Sequence, residues 1–123
     1  MVEEPVVLAA NAAFYRAMRE GDLGAMDALW SCRRSVSCTH PSGPAITGRE
    51  AIMRSWRCIL LEGGPVAIHP RGARALVSGR TALVLCEEVD GALVLMASNC
   101  FVHEAGAWRM LSHQAAAVPG RVI

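Results

Sequence analysis

The sequence predicts an α+β fold in which three helices in the first half pack against antiparallel strands in the second. Two observations predict it. Apolar residues recur at helical spacing before Gly63 and at a period of two after Pro65. Two turn signals, Asp90-Gly91 and Ala105-Gly106, then divide the second half into a meander of strands. With 123 residues and no linker, repeat or low-complexity stretch, the chain fits a single domain over residues 1–123.

Glu3-Glu4-Pro5 starts the first helix, with acids at the positive end of the dipole and proline in the first turn. Val6, Val7, Ala10, Ala13, Phe14, Ala17 and Met18 form its apolar stripe, and Gly21 suits its C-terminal cap. Asp22 caps a second helix whose apolar face is Leu23, Met26, Leu29 and Trp30. A short strand from Arg34 to His40 follows, and the stretch to Gly48 reads as a loop. Thr47-Gly48-Arg49-Glu50 reads as a capping box opening a third helix, with Ile52, Met53, Trp56, Ile59 and Leu60 on its apolar face. Gly63-Gly64-Pro65 ends it. Val66 to His69 and Ala73 to Ser78 form one strand interrupted at Pro70. Thr81 to Val89 and Ala92 to His103 form a hairpin around Asp90-Gly91, and Trp108 to Val118 is the last strand.

Composition narrows the function. A net charge of +1 leaves no electrostatic footprint for nucleic acid or an anionic membrane surface. No apolar run reaches the roughly 18 residues of a membrane span. An acidic start argues against a signal peptide. The five cysteines are odd in number and lack CxxC spacing, as expected of reduced thiols in a cytoplasmic protein. The four histidines have no metal-ligand spacing, and no cofactor motif is present.

The feature that speaks to chemistry is Cys38-Thr39-His40-Pro41. A period of two puts Val36, Cys38 and His40 on one face. A titratable group at the end of an apolar stripe loses hydration, so it is either hydrogen-bonded core or a working residue in a pocket. Pro41 ends the strand at that histidine.

Several pieces resemble the nuclear transport factor 2-like superfamily, in its SnoaL-like and ketosteroid isomerase-like branches. They are Phe14-Tyr15 through Gly21-Asp22-Leu23 and Leu29-Trp30, the His40-Pro41 strand end, Thr47-Gly48-Arg49-Glu50-Ala51-Ile52 to Ser55-Trp56, Ala97-Ser98-Asn99-Cys100-Phe101, and Trp108-Arg109 through Ser112-His113-Gln114 to Val118-Pro119. The resemblance implies a cone-shaped curved antiparallel sheet closed by the helices, a cystatin-like α+β roll, with homodimers pairing through the outer sheet face. The scaffold hosts isomerases, cyclases, dehydratases and non-catalytic binders. His40 matches the place of the isomerases' basic aspartate. Asn99 matches their protonated aspartate, an oxyanion donor. Phe14 matches their donor tyrosine, with Tyr15 one residue away. Steroid isomerisation by that mechanism is therefore not expected.

These matches define the candidate site. His40 is the expected base and Asn99 the expected donor; Tyr15, Trp56 and His113 are expected to bind ligand, with Tyr15 at the rim of the cavity. The side taken by His113 depends on the turn before it. A two-residue turn at Ala105-Gly106 puts Ser112 on the face of Asn99, whereas a three-residue loop with a bulge puts Leu111 and His113 there. The family match favours the second. Trp30 is read as core, and Glu87 and Glu88 as a solvated hairpin end, although the two face opposite sides and one inward carboxylate stays open. Cys38 and His40 lie about 6–7 Å apart along one strand face, which gives no Cys–His dyad. Leu83, Leu85, Val94, Met96 and Cys100 on one face of the hairpin, and Val84, Cys86 and Leu95 on the other, call for cover on both faces and so for a homodimer. Two functions fit: acid–base catalysis of isomerase, cyclase or dehydratase type on a small apolar metabolite, or a non-catalytic dimeric module that binds a ligand or a protein.

Overall fold

The computed structural model describes residues 3–122; Met1 and Val2 of the acidic start, and Ile123, lie outside the described residues. Helix α1 spans Glu3–Glu20, α2 Leu23–Leu29 and α3 Arg49–Arg57, the last running on into a wider turn of helix over Cys58–Glu62. The strands are β1 Ser37–Thr39, β2 Ala45–Thr47, β3 His69–Ser78, β4 Thr81–Asp90, β5 Leu93–Glu104 and β6 Ala107–Val122. They form one six-stranded sheet in the order β2-β1-β6-β5-β4-β3. The three helices cover one face of the curved sheet, as expected for an α+β cone. Among the described residues no helix is long and apolar enough to cross a membrane.

The helix signals act as read at α1 and α2. Gly21 adopts φ 64°, which ends α1, and Asp22 accepts a hydrogen bond from Ala25 N at 3.0 Å. At α3 the capping box does not form. Thr47 is taken into β2, and Gly48 stands at the N-cap with no side-chain hydrogen bond. Strand pairing overrides the local preference.

Four strand readings change. The stretch read as a loop before α3 contains β2, paired antiparallel with β1. The first strand is shorter than Arg34 to His40 and pairs in parallel with β6, Cys38 opposite His113, so the sheet is not wholly antiparallel. The β4–β5 turn is Gly91-Ala92, one residue later than read, because Asp90 still pairs with Leu93. β3 begins at His69, not Val66, and runs through Pro70 at the sheet edge, where a strand tolerates proline; its irregularity falls between Arg71 and Arg74.

The turn at Ala105-Gly106 has two residues, since Glu104 pairs with Ala107. Parity is changed further along. Cys100 pairs with Ser112 but Phe101 pairs with Met110, so Leu111 is an extra residue. That bulge in β6, not a longer turn, sets His113 opposite Asn99.

The core lies between α1 and the inner sheet face. Phe14 is its hub: its ring meets Tyr15, Trp30, Trp56 and His113 at centroid distances of 5.0, 6.5, 5.6 and 4.8 Å. Trp30 is buried core, as read, and pairs with Met110 as an isolated bridge.

Candidate functional site

Inner residues of β4 alternate as Ala82, Val84, Cys86 and Glu88, all buried. Glu88 is 1 % exposed. It is therefore not a solvated hairpin end; the strand period carries it inward while Glu87 pairs with Arg71 on the other face. From α1, Asn11 and Tyr15 face it one helical turn apart, and β5 and β6 add Asn99 and His113.

These groups form one directed network. Tyr15 Oη donates to Glu88 Oε2 at 2.6 Å. Asn99 Nδ2 donates to Tyr15 Oη at 3.0 Å and to Asn11 Oδ1 at 2.9 Å. Asn99 Oδ1 stands 2.6 Å from His113 Nδ1. With the amide so oriented, His113 carries its proton on Nδ1 and leaves Nε2 as an acceptor. That nitrogen lies 3.9 Å from Glu88 Oε2. Burial pushes the His113 imidazole down to about 3, helped by nearby His40, so it is neutral. Burial raises Glu88, opposed by the Tyr15 hydrogen bond. The Tyr15 hydroxyl is raised by burial and then by Glu88 and Cys86, which keeps it a donor.

His40 sits past the end of β1, half-buried, its Nε2 2.6 Å from Ser55 Oγ on α3. Burial lowers its affinity for a proton. Trp56 stands between the two imidazoles, with ring centroids 4.9 Å from His40 and 6.3 Å from His113. A cavity of about 170 Å³ opens here. His40, His113 and Glu88 bring it titratable groups; Trp56, Met18 and Ile59 belong to its apolar wall. A larger open cleft of about 560 Å³ runs past Arg34, Ser37, Cys100 and Ser112 on the opposite face of the sheet. It is bigger, but the imidazoles and the buried carboxyl converge only on the inner cavity.

His40, Trp56 and His113 thus meet at one cavity. Tyr15 does not form its rim: it is fully buried at the base of the network. Asn99 does not face the cavity either. Both amide hydrogens and its oxygen are engaged within the chain, the oxygen with His113 Nδ1. Cys38 Sγ and His40 Nε2 approach to 3.8 Å, closer than the strand spacing suggested. Burial pushes the Cys38 thiol up to about 12, and a protonated thiol is no nucleophile. Asn11 went unread and Glu88 was read as solvated, although each had a signal. Glu88 shares parity with Val84 and Cys86, and Asn11 shares the helical stripe of Val7 and Tyr15.

The chain belongs to the SnoaL-like domain family, whose pattern matches residues 7–119. Its fold is similar to that of a candidate dehydratase of the NTF2-like family from Streptomyces avermitilis, with a TM-score of 0.87, 30 % identity, and 95 % of this chain and 96 % of that one covered. It is also similar to a candidate calcium/calmodulin-dependent protein kinase type II association domain from Thiobacillus denitrificans, with a TM-score of 0.79, 26 % identity, and 90 % and 94 % covered. In sequence it is 29 % identical over 110 residues to F-box protein SKIP8 of Arabidopsis thaliana, covering 87 % of this chain. It spans only 47 % of that relative.

Proposed function

We propose that the chain binds a small, largely apolar molecule within the cone and performs acid–base chemistry on it, with His40 as the base. The observation that supports this reading is the convergence of His40, His113 and Glu88 on one otherwise apolar cavity. A neutral imidazole is available as a base at neutral pH. If His40 donates its Nε2 proton to Ser55, Nδ1 keeps the free lone pair. The description of the Streptomyces avermitilis relative as a candidate dehydratase favours elimination of water among the reaction types open to such a site. The test is turnover of small β-hydroxy ketones by wild type, His40→Ala and His40→Gln. Both variants should lose on the order of 10²-fold or more in kcat, the usual worth of a positioned base. Equal turnover by all three removes His40 as the base and leaves the non-catalytic binding module.

We also infer a homodimer through the outer sheet face. Leu76 and Met96 are 58 % and 43 % exposed there, on the face they share with Leu83, Leu85 and Cys100. Sedimentation at micromolar concentration should give the mass of two chains, and a monomer would sink the inference.

A further inference from the structure

The buried carboxyl has one oxygen spoken for and one not. Glu88 Oε2 accepts the Tyr15 proton, and among the described residues Oε1 has no hydrogen-bond partner, although the side chain is almost wholly enclosed and lies in the cavity wall. Across from it, His113 Nε2 has its lone pair toward no donor, because the Nδ1 proton is spent on Asn99. The two groups are 3.9 Å apart, beyond direct hydrogen-bond reach. The unengaged carboxyl edge of Glu88 and the unengaged imidazole edge of His113 belong to two residues that line the same small cavity.

We propose that Glu88 meets the ligand as an acid, its Oε1 presenting the proton, and that the ligand is an uncharged molecule whose deepest atom is a hydroxyl or carbonyl oxygen. The inference rests on the cavity being the ligand site argued above. The charge argument is one of exclusion. The groups facing Glu88 are Tyr15 from α1, Cys86 from its own strand and His113 from β6, with His40 and Cys38 beyond. None is a cation while both imidazoles are neutral, and no arginine lines the cavity. An ionised Glu88 would have only the Tyr15 hydrogen bond to replace its water, and a ligand carboxylate would have no counter-charge at all. A neutral acid costs far less there, and it can donate. A hydroxyl satisfies both edges, accepting from Oε1–H and donating to His113 Nε2. A carbonyl satisfies the first.

The same geometry serves elimination. The base takes the proton from carbon, that electron pair forms the double bond, the C–O bond breaks, and Oε1–H passes to the departing oxygen, which leaves as water. The proton on His40 then returns to Glu88 through solvent, so the chain ends as it began.

The test uses single-ring probes, since a cavity of about 150 Å³ admits benzene. Toluene, benzaldehyde, benzyl alcohol and benzoate are titrated at pH 7 by NMR into wild type, Glu88→Gln and Glu88→Leu. Benzaldehyde, which only accepts, is decisive. It should bind roughly tenfold tighter than toluene, benzyl alcohol at least as tightly as benzaldehyde, and benzoate far more weakly than any of them. Glu88→Gln should keep the preference for benzaldehyde, because an amide N–H donates in place of the acid. Glu88→Leu should abolish it while still binding toluene. Equal affinity for benzaldehyde and toluene in wild type would overturn the assignment of Glu88, as would strong benzoate binding, and neither needs the leucine variant to fold. Failure of every probe, toluene included, would instead strike at the cavity as a ligand site.

Discussion

Replacing Glu88 by glutamine should change how stability responds to pH, by an amount the site geometry fixes. Consider the window between pH 6.5 and 4.5, the ordinary values of the histidine and glutamate side chains. In the unfolded chain His113 binds a proton across this window and Glu88 releases one. If Glu88 is the acid proposed above, the roles reverse in the folded chain: His113, pushed down to about 3, stays bare, while Glu88, raised by burial, keeps its proton across the window. Each state therefore holds one proton on the pair, and the pair adds no slope to stability there. Glutamine cannot take part. In Glu88→Gln only the His113 contribution remains, and a group whose affinity for protons is lowered by folding loses stability as pH falls below its unfolded value. At about 1.4 kcal/mol per pH unit, and with the unfolded glutamate half-protonated at pH 4.5, the variant should lose about 2.3 kcal/mol relative to wild type on going from pH 6.5 to 4.5. His40 and the surface carboxylates act in both proteins and cancel in the difference. Urea unfolding at pH 6.5, 5.5 and 4.5 measures it, and with a slope of roughly 1–3 kcal/mol per molar the midpoints should part by about 1–2 M. Parallel midpoints would mean that Glu88 is ionised in the folded state, and the acid role would fall.

Asn99→Leu should cost about 3–5 kcal/mol, because it strands Asn11 Oδ1, His113 Nδ1 and one lone pair of Tyr15 Oη in the interior. The ¹⁵N shifts of His113 should move from a single Nδ1–H tautomer toward a mixture, and an unchanged spectrum would argue against Asn99 as the orienting group. Thiol labelling at pH 8 should modify the exposed Cys32 and Cys58 quickly and leave buried Cys38 and Cys86 untouched until the chain is unfolded. Fast loss of the Cys38 thiol from folded protein would contradict its burial.

How much of this was legible in the sequence depends on how far each signal acts. Gly21, Asp22 and the stripe through Ile52 and Trp56 are local, and they placed their helices. His40 was legible because a period of two and a following proline act within one strand. β2 was not, since Ala45-Ile46-Thr47 is too short to show alternation and forms only by pairing with β1. The bulge at Leu111 leaves no trace in residue type, so the side of His113 stayed open to two readings. Glu88 illustrates a weighing error: two adjacent acids near a turn suggest solvent, yet the parity of Val84 and Cys86 had already assigned one of them inward. Tyr15 lies off the main apolar stripe because its hydroxyl needs Glu88 and Asn99, partners supplied by strands far along the chain.

The parallel pairing of β1 with β6 has a consequence for the order of assembly. Ser37 and Ser112, neighbours across that seam, are 75 residues apart in the chain. The β4–β5 and β5–β6 ribbons close through two-residue turns, the kind of event that takes about 1–10 μs. The seam must instead close a long loop before any contact rewards it, which is slow. Cys38 meets His113 only at that step, so the histidine end of the cavity is assembled after the meander that carries Glu88 and Asn99. Closing the seam brings Cys38 and the His40 end of the cavity up to the part that the meander already carries, so the pocket is completed by a long-range contact and not by a local turn.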